Sequence, residues 1–494
     1  MTTQTQIDAL RRETLAPQSL FIDNAPVQGS AEPMVVTSPI DGAQLTTIAN
    51  ATSAEVDMAV ASARTAFNDG RWSRLAPAAR KKILFAVADA IEADALALSV
   101  LGIRDNGTEF AMAYKAEAGS AAATFRYYAE AIDKIPGEIA PTAPGTLGLV
   151  HYEPVGVVGA IIPWNFPLMI GAWKIAPAIA AGNSIVVKPA ETASLSLLRL
   201  AEIAAGAGLP AGVLNVITGD GRIAGDALAR SMDVDVLAFT GSGMTGRKLL
   251  EASAQSNLKR VYLELGGKSP NVVFADAPDL DKAAAVSAGG IFRNAGQVCV
   301  AASRLLVERS IRDDFVAALK THAEAFKVGD PLDLNTQIGA VNSETQLAGN
   351  LRLTQAAINE GAECVTGGKR ILEDTGGSYM APTILSGVTP SNTVFRKEVF
   401  GPVLAVTPFE TEEEAVQLAN DSELGLAAGV WTANLSRAHR MIGAINAGVV
   451  HVNTYGGPDN TVPLTGHKQS GNGSDKSLHA LDKYTNLKTA WIQL

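Results

Sequence analysis

Two cysteines, Cys299 and Cys364, are all that this chain of 494 residues contains. That scarcity argues against a disulfide framework and leaves too few thiolates for a cysteine-rich metal centre, so a reducing, cytoplasmic setting is expected. The six histidines form no ligand spacing such as HxxxH, and no metal is expected. Basic runs are missing too, and the formal net charge is -10, so nothing in the chain is suited to neutralising nucleic-acid phosphates. One uncharged stretch, Pro154 to Trp173, approaches the length of a membrane span. Pro163, Asn165 and Pro167 interrupt it and Lys174 closes it, so it reads as buried strand and loop, and no membrane partner is expected. Met1 to Arg12 lacks the basic, apolar and small-residue regions of a secretion signal.

What remains is ample for folding. Apolar residues make up 47% of the chain and charged residues 18%, and the length exceeds what one core supports, which predicts two large domains. Thr52 to Glu55 has capping-box spacing ahead of Val56, Val60, Ala63 and Phe67, and Pro77 opens a second helical pattern through Ile83, Leu84, Val87 and Ile91. From about Val150, short β-branched runs alternate with helical segments: VGVVGAII, NSIVVKP, GVLNVIT and VDVLAFT. Runs apolar on both faces predict a parallel sheet covered by helices, with ligands at the carboxyl ends of its strands. A second α/β series runs from VYLEL (261–265) through NVVFAD and SRLLVE to GVWT and GVVHVNT. The final segment, KYTNLKTAWIQL, alternates like a strand with no neighbour in sequence, so it is expected to pair with the region 137–152 or with another subunit.

The strand VDVLAFT runs into Gly241-Ser242-Gly243-Met244-Thr245-Gly246, a literal G-x-G-x-x-G in strand-turn-helix context. Glycine there admits a ligand to the backbone, and the helix N-terminus offers free N–H groups, although a plain tight turn explains the pattern equally well. On the dinucleotide reading, an acid about 20 residues further on, here Glu264, would hold a ribose.

Phe292 to Cys299 reads FRNAGQVC, and Leu263 to Pro270 reads LELGGKSP. These segments resemble the two signatures of the aldehyde dehydrogenase superfamily, and PWNFP (163–167), KPAE (188–191), FTGS (239–242), EVFGPV (398–403) and KQSGNG (468–473) extend the resemblance in the same order. It implies an α/β fold: a Rossmann-like NAD-binding domain (residues 1–132 and 155–266), an α/β catalytic domain (267–468) and a small β oligomerisation element (133–154 and 469–494). A homodimer or homotetramer is expected.

The resemblance assigns Cys299 as the nucleophile towards an aldehyde, Asn165 and the Cys299 N–H as oxyanion donors, Glu264 as general base and Lys174 as a proton-relay lysine. A free thiol is only a few per cent ionised at neutral pH, so an attacking cysteine needs help in losing its proton. Cys364, outside any motif, reads as structural. For the cofactor, NAD, the resemblance implies Lys188 and Glu191 at the adenosine ribose, with Glu398 at the nicotinamide ribose and Phe400 against the nicotinamide. Ile162, Trp164, Gly221, Gly225, Phe239, Gly241, Ser242, Leu265 and Gln346 complete that set. A carboxylate at Glu191 repels a 2′-phosphate, which favours NAD over NADP, with Lys188 partly compensating.

Phe166, Trp173, Phe292 and Tyr455 are expected in the substrate tunnel, and Asp459 and Glu117 near its mouth. The segments 461–489 and 130–138 are especially similar to bacterial γ-glutamyl-γ-aminobutyraldehyde and ω-amino aldehyde dehydrogenases of polyamine catabolism. Departures from the family pattern occur at PLTG (463–466), Ser474 and Leu424-Gly425-Leu426, the first of them near the expected tunnel. Two other readings stand beside this one: a CoA-acylating semialdehyde dehydrogenase and a catalytically inactive structural relative.

Overall fold

The computed structural model describes residues 2–457 and 459–494; Met1 and Pro458 lie outside them. The sequence signals at the N-terminal helices act as read. Thr52 caps the helix Ser53–Asn68, and its amide donates to Glu55 at 2.8 Å to close the capping box. Pro77 opens the helix Pro77–Ala93, whose Leu84, Val87 and Ile91 are buried.

The first large sheet has a parallel centre. Its strands lie in the spatial order Leu214–Val216, Ser184–Pro189, Val157–Ile162, Val236–Thr240, Arg260–Glu264. Numbered along the chain this is 3-2-1-4-5, and the order reverses between Val157–Ile162 and Val236–Thr240. Such a switch point leaves a crevice at the carboxyl ends of the two strands. The strands are buried along nearly their whole length, as a sheet covered on both faces requires.

Three expectations need correcting. The segment VYLEL was assigned to the second series, yet Arg260–Glu264 pairs in parallel with Val236–Thr240 in the first sheet. Its apolar run is equally compatible with either sheet, and only the tertiary pairing decides. The stretch read as strand and loop turns helical at Pro167, which occupies the first turn of Pro167–Ala180; that helix is buried on all sides apart from Met169, so it shows no amphipathic period to find. Cys364 is exposed on the outer strand Glu363–Thr366, so it contributes nothing to a core.

The second sheet runs Glu363–Thr366, Thr383–Ser386, Val403–Phe409, Arg304–Glu308, Pro270–Val273, Ala427–Trp431, Val449–Val452, parallel except for the first pairing. The terminal strand Thr485–Gln493 pairs along its full length with Thr146–Pro154, which also pairs with Glu138–Ala140. Among the described residues, no helix is long and apolar enough to cross a membrane.

Candidate active site

Two loops meet at the seam between the large sheets. After Glu264 the chain continues Leu265-Gly266-Gly267, and both glycines have close neighbours, a side chain at Gly266 and the backbone at Gly267. A β-carbon on Gly266 would fall 2.0 Å from a Glu398 carboxylate oxygen, and one on Gly267 would fall 2.3 Å from the Cys299 carbonyl oxygen. The LELGG motif is thus the shape needed to seat Glu398 and Cys299 against the end of the strand Arg260–Glu264. Gly267 also donates its N–H to Glu398 at 3.1 Å, and Gly267, Val298, Glu398 and Phe400 line one cavity.

The cysteine loop is strained. Asn294 and Ala295 hold φ of 51° and 50°, a left-handed conformation that costs residues with a β-carbon about 1 kcal/mol or more each. Surrounding bonds fix it. Asn294 N donates to Glu109 at 3.1 Å, and Thr108 Oγ1 donates to Asn294 Oδ1 at 2.8 Å. Asn294 Nδ2 in turn reaches the Asn165 carbonyl at 3.3 Å, and Asn165 Nδ2 donates to the Gln297 carbonyl at 2.9 Å. An amide nitrogen carries two hydrogens, so Asn165 keeps a second donor after that bond.

Cys299 is a free cysteine whose side chain packs against the core cluster that includes Phe166 and Trp173. Burial pushes its thiol up to about 12, and the nearby Glu264 and Glu398 carboxylates add to the effect. The resting thiol is therefore protonated and requires a base. Glu264 is buried, and one of its oxygens has no hydrogen-bond partner. Burial first, then the charge of Asp475, raise it well above the ordinary carboxylate range, while Lys174 and Lys483 act in the opposite sense. Lys174 donates to Asp475 at 2.8 Å, and Lys483 bonds the other Asp475 oxygen. Asp475 and Lys483 were not singled out by sequence reasoning, because charges in a tail segment ordinarily read as solvated. Nor were Thr108 and Glu109, which sit far in sequence from the motif they hold.

The residues expected at a dinucleotide are gathered around the switch point. Glu191 accepts from Gly221 N at 2.6 Å and from Lys188 Nζ at 3.0 Å, and Gly225 packs against the Lys188 stem. Ile162 ends its strand, buried; Gly241 N donates to the Glu264 carbonyl, and a β-carbon there would strike the Phe239 ring at 2.4 Å. Ser242 caps the helix Gly243–Ala254 through Thr245 N, while Leu265 N donates to Ser470 O. Trp164 meets Phe400 edge-on with centroids 5.3 Å apart, and Gln346 Nε2 donates to the carbonyls of Val399 and Phe400. Two carboxylates, each held by a backbone N–H, have the chemistry to accept hydrogen bonds from the two riboses of a dinucleotide. Burial raises Glu398 to about 7.

Not every expected tunnel residue is brought to the site. Phe292 is wholly buried in the second sheet's core, edge-on to Phe326, which is a packing position. Glu117 is buried, and its carboxylate accepts the Met169 N–H at 2.6 Å at the start of the helix Pro167–Ala180, so it caps a helix and does not face a mouth. Tyr455 does lie by the cysteine loop, donating to the Val300 carbonyl at 2.8 Å. Trp173 carries the Lys476 ammonium 5.6 Å from its ring centre. Asp459 is exposed and accepts from Thr461 N at 2.8 Å, with Lys476 among its charged neighbours. Among the described residues, no group of three potential ligands is arranged for a metal ion.

Known proteins resemble this chain over nearly its whole length. Residues 27–490 match the aldehyde dehydrogenase family. The chain is 49% identical to the NADP/NAD-dependent aldehyde dehydrogenase PuuC of Escherichia coli (strain K12), covering 94% of this chain and 93% of that protein. An indole-3-acetaldehyde dehydrogenase solved with NAD+ superposes with a TM-score of 0.99 at 47% identity, covering 100% of both chains. A γ-glutamyl-γ-aminobutyraldehyde dehydrogenase from Burkholderia cenocepacia J2315 superposes with a TM-score of 0.98 at 46% identity, again over 100% of both. The chain belongs to the aldehyde dehydrogenase family.

Proposed function

We propose that this protein oxidises an aldehyde to a carboxylic acid with NAD, through a thiohemiacetal and then a thioester on Cys299. The observation that carries the reading is the convergence of Cys299, the buried Glu264 and the Asn165 amide at one seam. Glu264 takes the thiol proton, and the sulfur adds to the aldehyde carbon. The second Asn165 N–H and the Cys299 backbone N–H hold the resulting oxyanion, a donor of this kind being worth about 3 kcal/mol. NAD, when bound, supplies the hydride acceptor. Having passed the thiol proton on to solvent, Glu264 then draws a proton from water as it attacks the thioester carbonyl, and the Cys299 sulfur leaves as a thiolate that takes this proton back as the acid is released.

Lys188 and Glu191 would hold one ribose and Glu398 the other, with Phe400 against the nicotinamide. The domain division proposed is 1–132 with 155–266, 267–468, and 133–154 with 469–494. The three-stranded sheet supports the last unit, although Gly471–Asn472 also edges the first sheet. The open edge of Thr485–Gln493, with Leu487 and Trp491 exposed, supports assembly into a homodimer or homotetramer.

For substrate we propose aldehydes with a polar ω-substituent, of the kind named for the γ-glutamyl-γ-aminobutyraldehyde relative. Lys476 stands over Trp173 with Asp459 among its charged neighbours, which offers a polar group one charge of each sign.

The test is NADH absorbance on mixing protein, NAD and a panel of aldehydes, with and without CoA. Turnover without CoA is expected. Absolute dependence on CoA would install the acylating alternative, and inactivity across the panel would mark an inactive relative.

A further inference from the structure

Lys174, Asp475 and Lys483 come from three different elements: the helix Pro167–Ala180, the short strand Ser474–Asp475 and the 3-10 turn Leu478–Lys483. Their side chains are 1%, 1% and 3% exposed, so the cluster is dry. Each lysine bonds a different oxygen of the one carboxylate. Against burial, which acts the other way, the two lysines hold Asp475 below the usual carboxylate range. Burying three charges is costly unless their mutual attraction and hydrogen bonds offset it, and a single lysine would already neutralise Asp475. The second gives the cluster a net positive charge. Its unpaired neighbour is Glu264, whose buried oxygen accepts no hydrogen bond.

We infer that Lys483 is a positioning residue for the general base: it clamps Asp475 from the side opposite Lys174, and its charge makes ionisation of Glu264 possible inside a dry site. The inference rests on the reading of Glu264 as the base. The groups facing Glu264 are Asp475, Lys174, Lys483 and the Cys299 thiol, and Asp475 is faced in turn by Tyr128, Tyr484 and Lys476. Removing the Lys483 charge leaves Asp475 opposing Glu264 with one cation in place of two, so Glu264 must hold its proton to higher pH. Removing the Asp475 charge and keeping both lysines has the opposite effect.

The experiment is the pH profile of steady-state turnover after the NADH burst, measured with NAD and the best aldehyde of the panel. For Lys483→Met the acid limb should move to higher pH by about one unit, a roughly tenfold loss on the acid side. Lys483→Arg should keep the wild-type limb, and Asp475→Asn should move it to lower pH. A role confined to packing would lower rate at every pH without moving the limb. A Lys483→Met profile parallel to wild type overturns the inference, as does an Asp475→Asn limb shifted upward; either variant decides alone if the other does not fold. Glu264→Gln, run alongside, separates the two levels. Normal turnover there sinks the base assignment itself, whereas impaired turnover with an unmoved Lys483→Met limb sinks only the role of Lys483.

Discussion

The α-carbon of Gly267 faces the carbonyl of Cys299 so closely that a β-carbon would lie 2.3 Å from its oxygen. No side chain rotation relieves that contact, because both partners are backbone. Gly267→Ala must therefore push the cysteine loop away from Glu264 and Asn165. A displacement near 1 Å of a reacting group costs on the order of 100-fold in rate. The burst of NADH in Gly267→Ala should be slowed by about that factor while the protein still binds NAD, measured by stopped flow and by NAD titration. A burst at the wild-type rate would show that the loop does not need this contact.

Glu109 offers a test of the strained turn at Asn294. Burial raises it from 4.5 to about 7, against the pull of backbone donors including Asn294 N. With the folded value above the unfolded one, the native state binds the proton more tightly. The resulting stabilisation is complete below about pH 4.5 and is lost as pH rises through about 7. Glu109→Gln removes that titration, so its melting temperature should fall less than that of wild type between those pH values. Parallel curves would count against Glu109 as the titrating group.

Much of this site is legible in the sequence. FRNAGQVC, LELGGKSP and EVFGPV announce themselves because each packs chemistry and tight backbone into a few adjacent residues. Periodicity found the helix starting at Thr52 and the strands of the parallel sheet. It failed at Val261–Leu265, where an apolar run carries no record of its partner strand, and at Pro167, where a helix buried on nearly every side has no polar face. Phe292 lies in a motif and Glu117 in no motif at all, and for neither does the sequence say which way the side chain is turned. Asp475 and Lys483 became visible only when folding brought the tail against Lys174.

Glu191 should govern cofactor choice. Its carboxylate is fixed by Gly221 N and Lys188 Nζ where an adenosine ribose is proposed to sit. Glu191→Gln removes the charge that opposes a 2′-phosphate and leaves Lys188 free to attract one. The ratio of kcat/KM for NADP over NAD should rise by about tenfold or more, consistent with one charge contact of roughly 1.4 kcal/mol. An unchanged ratio would remove Glu191 from the ribose site.

Substrate preference tests the polar-aldehyde reading. Across 3-aminopropanal, 4-guanidinobutanal, hexanal and benzaldehyde, kcat/KM should favour the first two, and Asp459→Asn should narrow the difference. An apolar pocket alone discriminates by only about 1 to 3 kcal/mol per methylene. If hexanal or benzaldehyde leads by more than tenfold, or Asp459→Asn changes nothing, the polar-substituent proposal fails while family membership stands.

In the proposed reaction Cys299 forms the acyl bond and Glu264 releases it, and rapid-mixing measurement of NADH formation by Glu264→Gln tests both at once. Glu264→Gln should give a burst approaching one NADH per active site followed by slow turnover, with NAD affinity nearly unchanged, and Cys299→Ala should give no burst. A Glu264→Gln enzyme that binds NAD much more weakly yet turns over bound substrate normally would contradict it, placing Glu264 at the ribose instead of at the reacting sulfur.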